Sequence, residues 1–356
     1  MSPTVPKKRF VIVASLLLSA MVGLNVGHCS DDGVMSYGNS VAKLNTALAR
    51  KLAEANQPNA VGAMGRNRRQ YIHVRFQLGL HHLADYGLIA QRVDVLEQFL
   101  TAAEYAMAYQ LPTGNFRLDV PKSMAGRGSP SIADRASGTS FFIASLGLGL
   151  LALETNDWFQ KAEDCVDLRR RAAQIRSRLR STRQYLEKSE PVLMAADKHA
   201  PNRLLFNAIA IYTLNALLSD GASVQVADRY LALALGQVNQ EAGYFIEGGG
   251  YDSSYNAVAA ALALRLVLTA YPSAELQPIA ASAIEWQRSR IDERGEVSTV
   301  GNARVRPGQG GESFMGREKD VDVKHVVDAF MTASLVFEDP ELIEVAQRIV
   351  THYERR

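Results

Sequence analysis

Three stretches of this 356-residue chain, 141–153, 204–218 and 257–268, are apolar nearly all round at helical spacing, and a helix without a polar face must be buried on every side. No other feature constrains the fold as strongly. Between them lie amphipathic segments, 92–109, 165–187 and 224–240, each with a charged stripe that requires water. Inner and outer helices therefore alternate. Their connections alternate too, brief near Gly87, Glu154, Asp220, Pro272 and Asp339 but long over 110–135, 190–200, 241–252 and 290–321. All the long loops consequently enter inner helices at their N-termini and share one face.

Apolar periodicity predicts helices over 40–56, 69–86, 88–109, 136–153, 157–189, 201–218, 223–240, 253–271, 273–289, 322–337 and 339–354. Only 290–305 looks extended, a small β-hairpin with Glu293-Arg-Gly-Glu at its turn. The expected fold is all-α: a single α/α toroid, an incomplete double ring of about five helical hairpins plus an extra N-terminal helix. An open superhelix of repeats is the competing architecture, but the tetratricopeptide pattern is absent and a solenoid has no need of loops so unequal in length.

With 47% hydrophobic residues the chain can build a full core. Its 39 basic and 37 acidic residues nearly cancel, which argues against bulk affinity for nucleic acid. The arginine-rich run 168–180 carries no interleaved aromatics and is expected to be the solvated face of a helix. Residues 1–30 have the layout of a secretory signal: Lys7-Lys8-Arg9, an apolar run over 10–22, then small and polar residues. The run is shorter than the ~20 residues of a spanning helix, so cleavage, no stable membrane span and a periplasmic or secreted domain over 31–356 are expected. His28 stands before Cys29 where a lipobox needs a small residue. Whether Cys29 pairs with Cys165 depends on where cleavage falls, which the sequence leaves open.

On the shared face four polar clusters converge. One holds Lys122, Arg127, Asp134 and Arg135; another is Asp197-Lys-His-Ala-Pro-Asn-Arg-Leu-Leu-Phe-Asn. A third is the glycine-rich loop 243–256, with Glu247, Tyr251, Asp252, Tyr255 and Asn256, and the last runs from Asn302 and Arg304 to Glu312 and on through Lys319 to His325. Helix capping is the alternative role for Asp134 and Asp252, and an ion pair with Glu312 is the alternative for Arg304. Arginines, tyrosines and amides among glycines suit an anionic, hydroxyl-rich ligand. No metal or other cofactor is expected: His81 and His82, adjacent on a helix, should point in different directions, and no nucleotide fingerprint or serine-nucleophile elbow occurs.

Asn202 in His-Ala-Pro-Asn-Arg and Tyr251 or Tyr255 in Glu-Gly-Gly-Gly-Tyr-Asp-Ser-Ser-Tyr-Asn resemble, in type and placement, residues of the exported α/α-toroid polysaccharide lyases, the group that includes alginate and glucuronan lyases. The alginate-lyase signature Asn-Asn-His is absent. The resemblance implies β-elimination on an acidic, uronic-acid-containing polysaccharide. Such a reaction needs donors that stabilise charge beside the substrate carboxylate, here Asn202 with Arg203 or Arg304, and a base and acid, for which Tyr255 is the first candidate and His199 the second. Substrate contacts are assigned to Arg135, Arg203, Glu247, Tyr251, Asn256, Asn302 and Glu312. A glycoside hydrolase using two of Asp134, Glu247, Asp252 and Glu312, or an exopolysaccharide-binding protein without activity, are the alternatives.

Overall fold

The computed structural model describes residues 36–69, 71–120, 130–219, 221–304 and 321–355. The signal segment, Cys29, Lys122, Arg127, Asp220, Glu312 and Lys319 lie outside them. Among the described residues the regular structure is helical: α1 (Tyr37–Val41), α2 (Thr46–Ala55), α3 (Leu80–Ile89), α4 (Val93–Met107), α5 (Ile132–Glu154), α6 (Asp157–Lys161), α7 (Val166–Ser177), α8 (Leu179–Lys188), α9 (Glu190–Asp197), α10 (Pro201–Leu218), α11 (Val224–Leu235), α12 (Ser253–Leu268), α13 (Leu276–Arg288), α14 (Val323–Val336) and α15 (Glu341–Glu354).

The inner helices follow one another around a ring, α3 packing on α5, α5 on α10, α10 on α12 and α12 on α14. Outside them α4 lies on α3, α8 and α11 on α10, α13 on α12 and α15 on α14, and α2 touches both α3 and α14 to close the seam. This is the all-α toroid. Helix α5 is apolar and long enough to cross a membrane, yet 94% of its apolar window is buried inside the fold. It is a core helix, as its lack of a polar face requires.

Local chemistry sets where the helices begin and end. Ser131 and Asp134 form a reciprocal capping box at the start of α5, Pro201 occupies the first turn of α10, and Asp252 caps α12. Four inner-to-outer turns each place one non-glycine residue in the left-handed region, at Gln91, Ser219, Ala270 and Glu338. That conformation ends a helix within one residue, so the hairpins stay tight.

The predicted boundaries shift where local turns outcompete periodicity. The helix expected over 69–86 starts only at Leu80, after two short 3-10 turns at Gly65–Arg69 and Val74–Gln77. The span 157–189 is broken into α6, α7 and α8, and the supposed loop 190–200 is largely α9, opened by Glu190 and Pro191. The extended segment near 290–305 makes one antiparallel bridge, Ile291 with Val297, across a turn whose Gly295 has φ of 90°.

The ring axis is occupied by charge. Arg265 of α12 donates to Asp85 of α3 at 2.7 Å and to Asp328 of α14. All three are fully buried. Thr332 donates to Asp328, and burial raises the Tyr37 phenol of α1 well above its ordinary range, beside Arg265. Helix α1 contacts α3, α5 and α12. Gly38 sits so close to the end of α5 that a Cβ there would lie 2.2 Å from the Ala152 carbonyl.

Candidate functional site

The loop-bearing face is built on the first turns of α10, α12 and α14. Asp252 Oδ1 accepts from the backbone N–H groups of Ser254 and Tyr255, and its Oδ2 accepts from Arg304 N–H at 3.0 Å. The cap thereby ties a distant loop to α12. A second tie runs from Asp322 N–H to Ser254 Oγ at 2.8 Å, placing the start of α14 beside it.

Within this frame Arg304, Glu247, Tyr255 and Arg203 come together. The Arg304 guanidinium lies over the Tyr255 ring, 4.4 Å from its centroid, and its Nη1 donates to Glu247 Oε1. Glu247 is 1% exposed. Burial raises its carboxyl above the ordinary range, and the charges of Arg304 and Arg203 only partly oppose that rise. Its Oε2 has no hydrogen-bond partner among the described residues, and the same holds for the buried Oδ1 of Asn202, one residue before Arg203. Buried polar atoms in that condition are uncommon and require an explanation such as a ligand.

Aromatic rings link α5, α10 and α14. Phe141 of α5 stacks on Phe206 of α10 at 4.2 Å, and Phe206 meets the ring of His325 of α14 edge-on at 6.3 Å. Helices α10 and α14 have α12 between them in the ring, so this contact reaches across its inner side. Arg75 lies over Phe141 at 4.7 Å. His325 Nδ1 is 3.0 Å from Asp322 Oδ2. Arg75 and Phe141 escaped the sequence reading, whereas Phe206 and His325, the latter three residues after a helix-capping Asp, lay within two of the clusters.

Other candidates take different places. Asn256 is fully buried and its amide is consumed by the fold: Oδ1 accepts from Phe245 N–H, and Nδ2 donates to the Ala283 carbonyl and Gln287. Asn302 is also fully buried and accepts from Ser253 N–H and Oγ. Both therefore brace α12 from within the fold. Tyr251 turns outward, donating to the Val300 carbonyl and packing on Trp286. Arg135 is partly exposed, and its charge acts on Tyr185 of α8. His199 is exposed in the turn before α10. Asp134 is held by its capping box with Ser131.

His81 and His82 overturn the expectation that they diverge. Both are buried, their rings are 4.0 Å apart, and their Nε2 atoms lie 3.9 and 3.5 Å from Asp328 Oδ2. The three side chains are close enough to surround a metal ion. Their wiring favours protons instead. Asn56 receives Lys324 Nζ on its Oδ1, which fixes its amide so that Nδ2 faces His82 Nδ1 at 2.9 Å. Nδ1 must then accept, leaving the proton on Nε2, toward Asp328. Burial holds both imidazoles below their ordinary pKa, His81 at about 3.

No protein-family model matches the chain, and no curated protein does. Among solved structures it is similar to a crystal structure of D-mannose isomerase, at 12% identity and a TM-score of 0.44, over 80% of this chain and 75% of that one.

Proposed function

We propose that the protein is a lyase that cleaves an acidic polysaccharide by β-elimination on its loop-bearing face, with Tyr255 moving the proton. The observation that carries this is the Arg304 guanidinium over the Tyr255 ring at 4.4 Å, in the first turn of a buried inner helix. In this reaction the C5–H bond beside the carboxylate breaks, a C4–C5 double bond forms, the C4–O4 bond breaks, and the departing O4 takes a proton. A tyrosine that starts as phenolate can take the C5 proton, becoming a phenol, and hand that proton to the departing O4. Arg203 supplies donors for the substrate carboxylate, and the unsatisfied amide oxygen of Asn202 beside it, at the start of α10, accepts from a sugar hydroxyl. The export expected from residues 1–30 would bring the enzyme to a polymer outside the cytoplasm.

The raised carboxyl of Glu247 favours a second reading, a hydrolase with Glu247 as general acid. That mechanism needs another carboxylate: of its candidates, Asp134 and Asp252 are engaged in helix caps, and Glu312 lies outside the described residues. Products separate the readings. The purified protein is incubated with pectate, alginate, glucuronan and hyaluronan while ultraviolet absorbance and chain length are followed together. Elimination raises absorbance as chains shorten; shortening without absorbance indicates hydrolysis, and intact chains throughout remove both readings. Tyr255→Phe is expected to lower kcat by about 100-fold or more with the fold intact; unchanged turnover would remove Tyr255 from the chemistry.

A further inference from the structure

The loop-bearing face carries a second cluster that this reaction leaves unused. Tyr244 and Tyr251 of the glycine-rich loop and Trp286 of the last turns of α13 form a trio of rings, with centroids 5.8 Å apart for Tyr244 and Tyr251, 5.1 Å for Tyr244 and Trp286 and 5.6 Å for Tyr251 and Trp286. All three are partly exposed, whereas aromatic rings that only stabilise this core, such as Phe99, Phe142 and Phe330, are fully buried. The Arg290 guanidinium stands 5.1 Å from the Tyr251 ring and 5.7 Å from Trp286.

Arg290 donates to the carbonyls of Ser298 and Val300 and to the hydroxyls of Ser253 and Ser298. No carboxylate pairs with it among the described residues. Its positive charge is thus positioned by neutral groups and left uncompensated, beside ring faces that reach solvent. A uronic acid residue matches both halves of this surface: the C–H face of the sugar covers an aromatic ring, and the carboxylate meets the guanidinium.

We propose that Tyr244, Tyr251, Trp286 and Arg290 form a separate binding platform for an acidic sugar residue of the polymer, at a distance along the chain from the residue at Tyr255. This rests on the reading that the ligand is an acidic glycan. Backbone joins the two places: the Tyr251 carbonyl accepts from Ala303 N–H at 2.8 Å, next to Arg304, and Tyr255 follows Tyr251 by four residues, in the first turn of α12. A polymer seated on the platform is thereby registered against the Tyr255–Arg304 pair.

The chain has two tryptophans, and Trp158 lies near the opposite end of the ring, just after α5. In Trp158→Phe, Trp286 becomes the sole tryptophan reporter with the platform intact. Short oligosaccharides of galacturonate, glucuronate, mannuronate and guluronate are titrated while Trp286 emission and product absorbance are recorded, with cello-oligosaccharides of equal length as the neutral control. At least one acidic series should change the emission saturably, the neutral series should not, and Trp286→Ala should raise KM about tenfold, the equivalent of ~1.4 kcal/mol, with kcat little changed. Product formation with unchanged emission and unchanged KM in Trp286→Ala overturns the platform and leaves the reaction standing. An emission response without product does the reverse. Equal responses to neutral and acidic sugars remove the role of Arg290, and silence in both readouts across the panel overturns platform and reaction together.

Discussion

Hydrogen-bonding capacity decides which polar residues of the loop-bearing face are available for chemistry. Asn256 has its partners inside the fold, so Asn256→Ala would leave Phe245 N–H and Gln287 Oε1 without those bonds in a buried place; a loss of about 1–3 kcal/mol per orphaned group is expected in urea unfolding. Glu247 behaves differently. Its folded carboxyl holds a proton more tightly than an unfolded one, so its contribution is fullest below the ordinary carboxylate pKa and declines as pH rises through the raised value. Glu247→Gln should therefore gain on the natural protein in melting temperature as pH rises from about 4.5, and a difference independent of pH would contradict this. Composition marked the glycine-rich loop as a concentration of polar groups, but it could not tell Asn256, already committed to Phe245, from Asn202, which is not. Occupied lone pairs depend on contacts from elements far away in the chain.

Among the elements, the inner helices were the most legible, because α5, α10 and α12 lack a polar face and admit only one environment. The segment before α3 was the least legible: its apolar spacing suits a helix, yet Asn67, His73 and Gln77 bond one another and the backbone in two short turns instead. Arg265 carried a signal that went unused. It is the one charged residue in the apolar stretch 257–268, and a buried arginine requires carboxylate partners. Those partners lie on α3 and α14, so the ion pairs join three helices across the ring. Arg265→Met would leave Asp85 and Asp328 buried together without a cation, and a loss of about 3–5 kcal/mol is expected, measured by urea unfolding or by failure of the variant to accumulate. Replacing all three residues by apolar ones should recover part of that loss.

For the whole molecule, buried histidines set the response to acid. Burial lowers His73 and His81 to about 3 and His82 in the same direction. Each is neutral when folded and gains a proton on unfolding below its ordinary value near 6.5, so stability is complete above that pH and falls as pH drops toward 3. Asp328, held far below the ordinary carboxylate range by Arg265 and the two histidines, adds a loss in the same direction at more acidic pH. The unfolding free energy should therefore drop steeply on acidification from pH 6.5, with a shallower slope in His73→Gln; an identical slope would mean that His73 does not titrate on unfolding. Folding joins parts of the chain that are far apart in sequence: Asn56 is held by Lys324, 268 residues away, and Asp85 by Arg265, 180 away. Contacts of such separation slow folding, since a long loop must close before they form. Helix α1 rests on α3, α5 and α12 together, so its seat is complete only once helices from both halves of the ring have met.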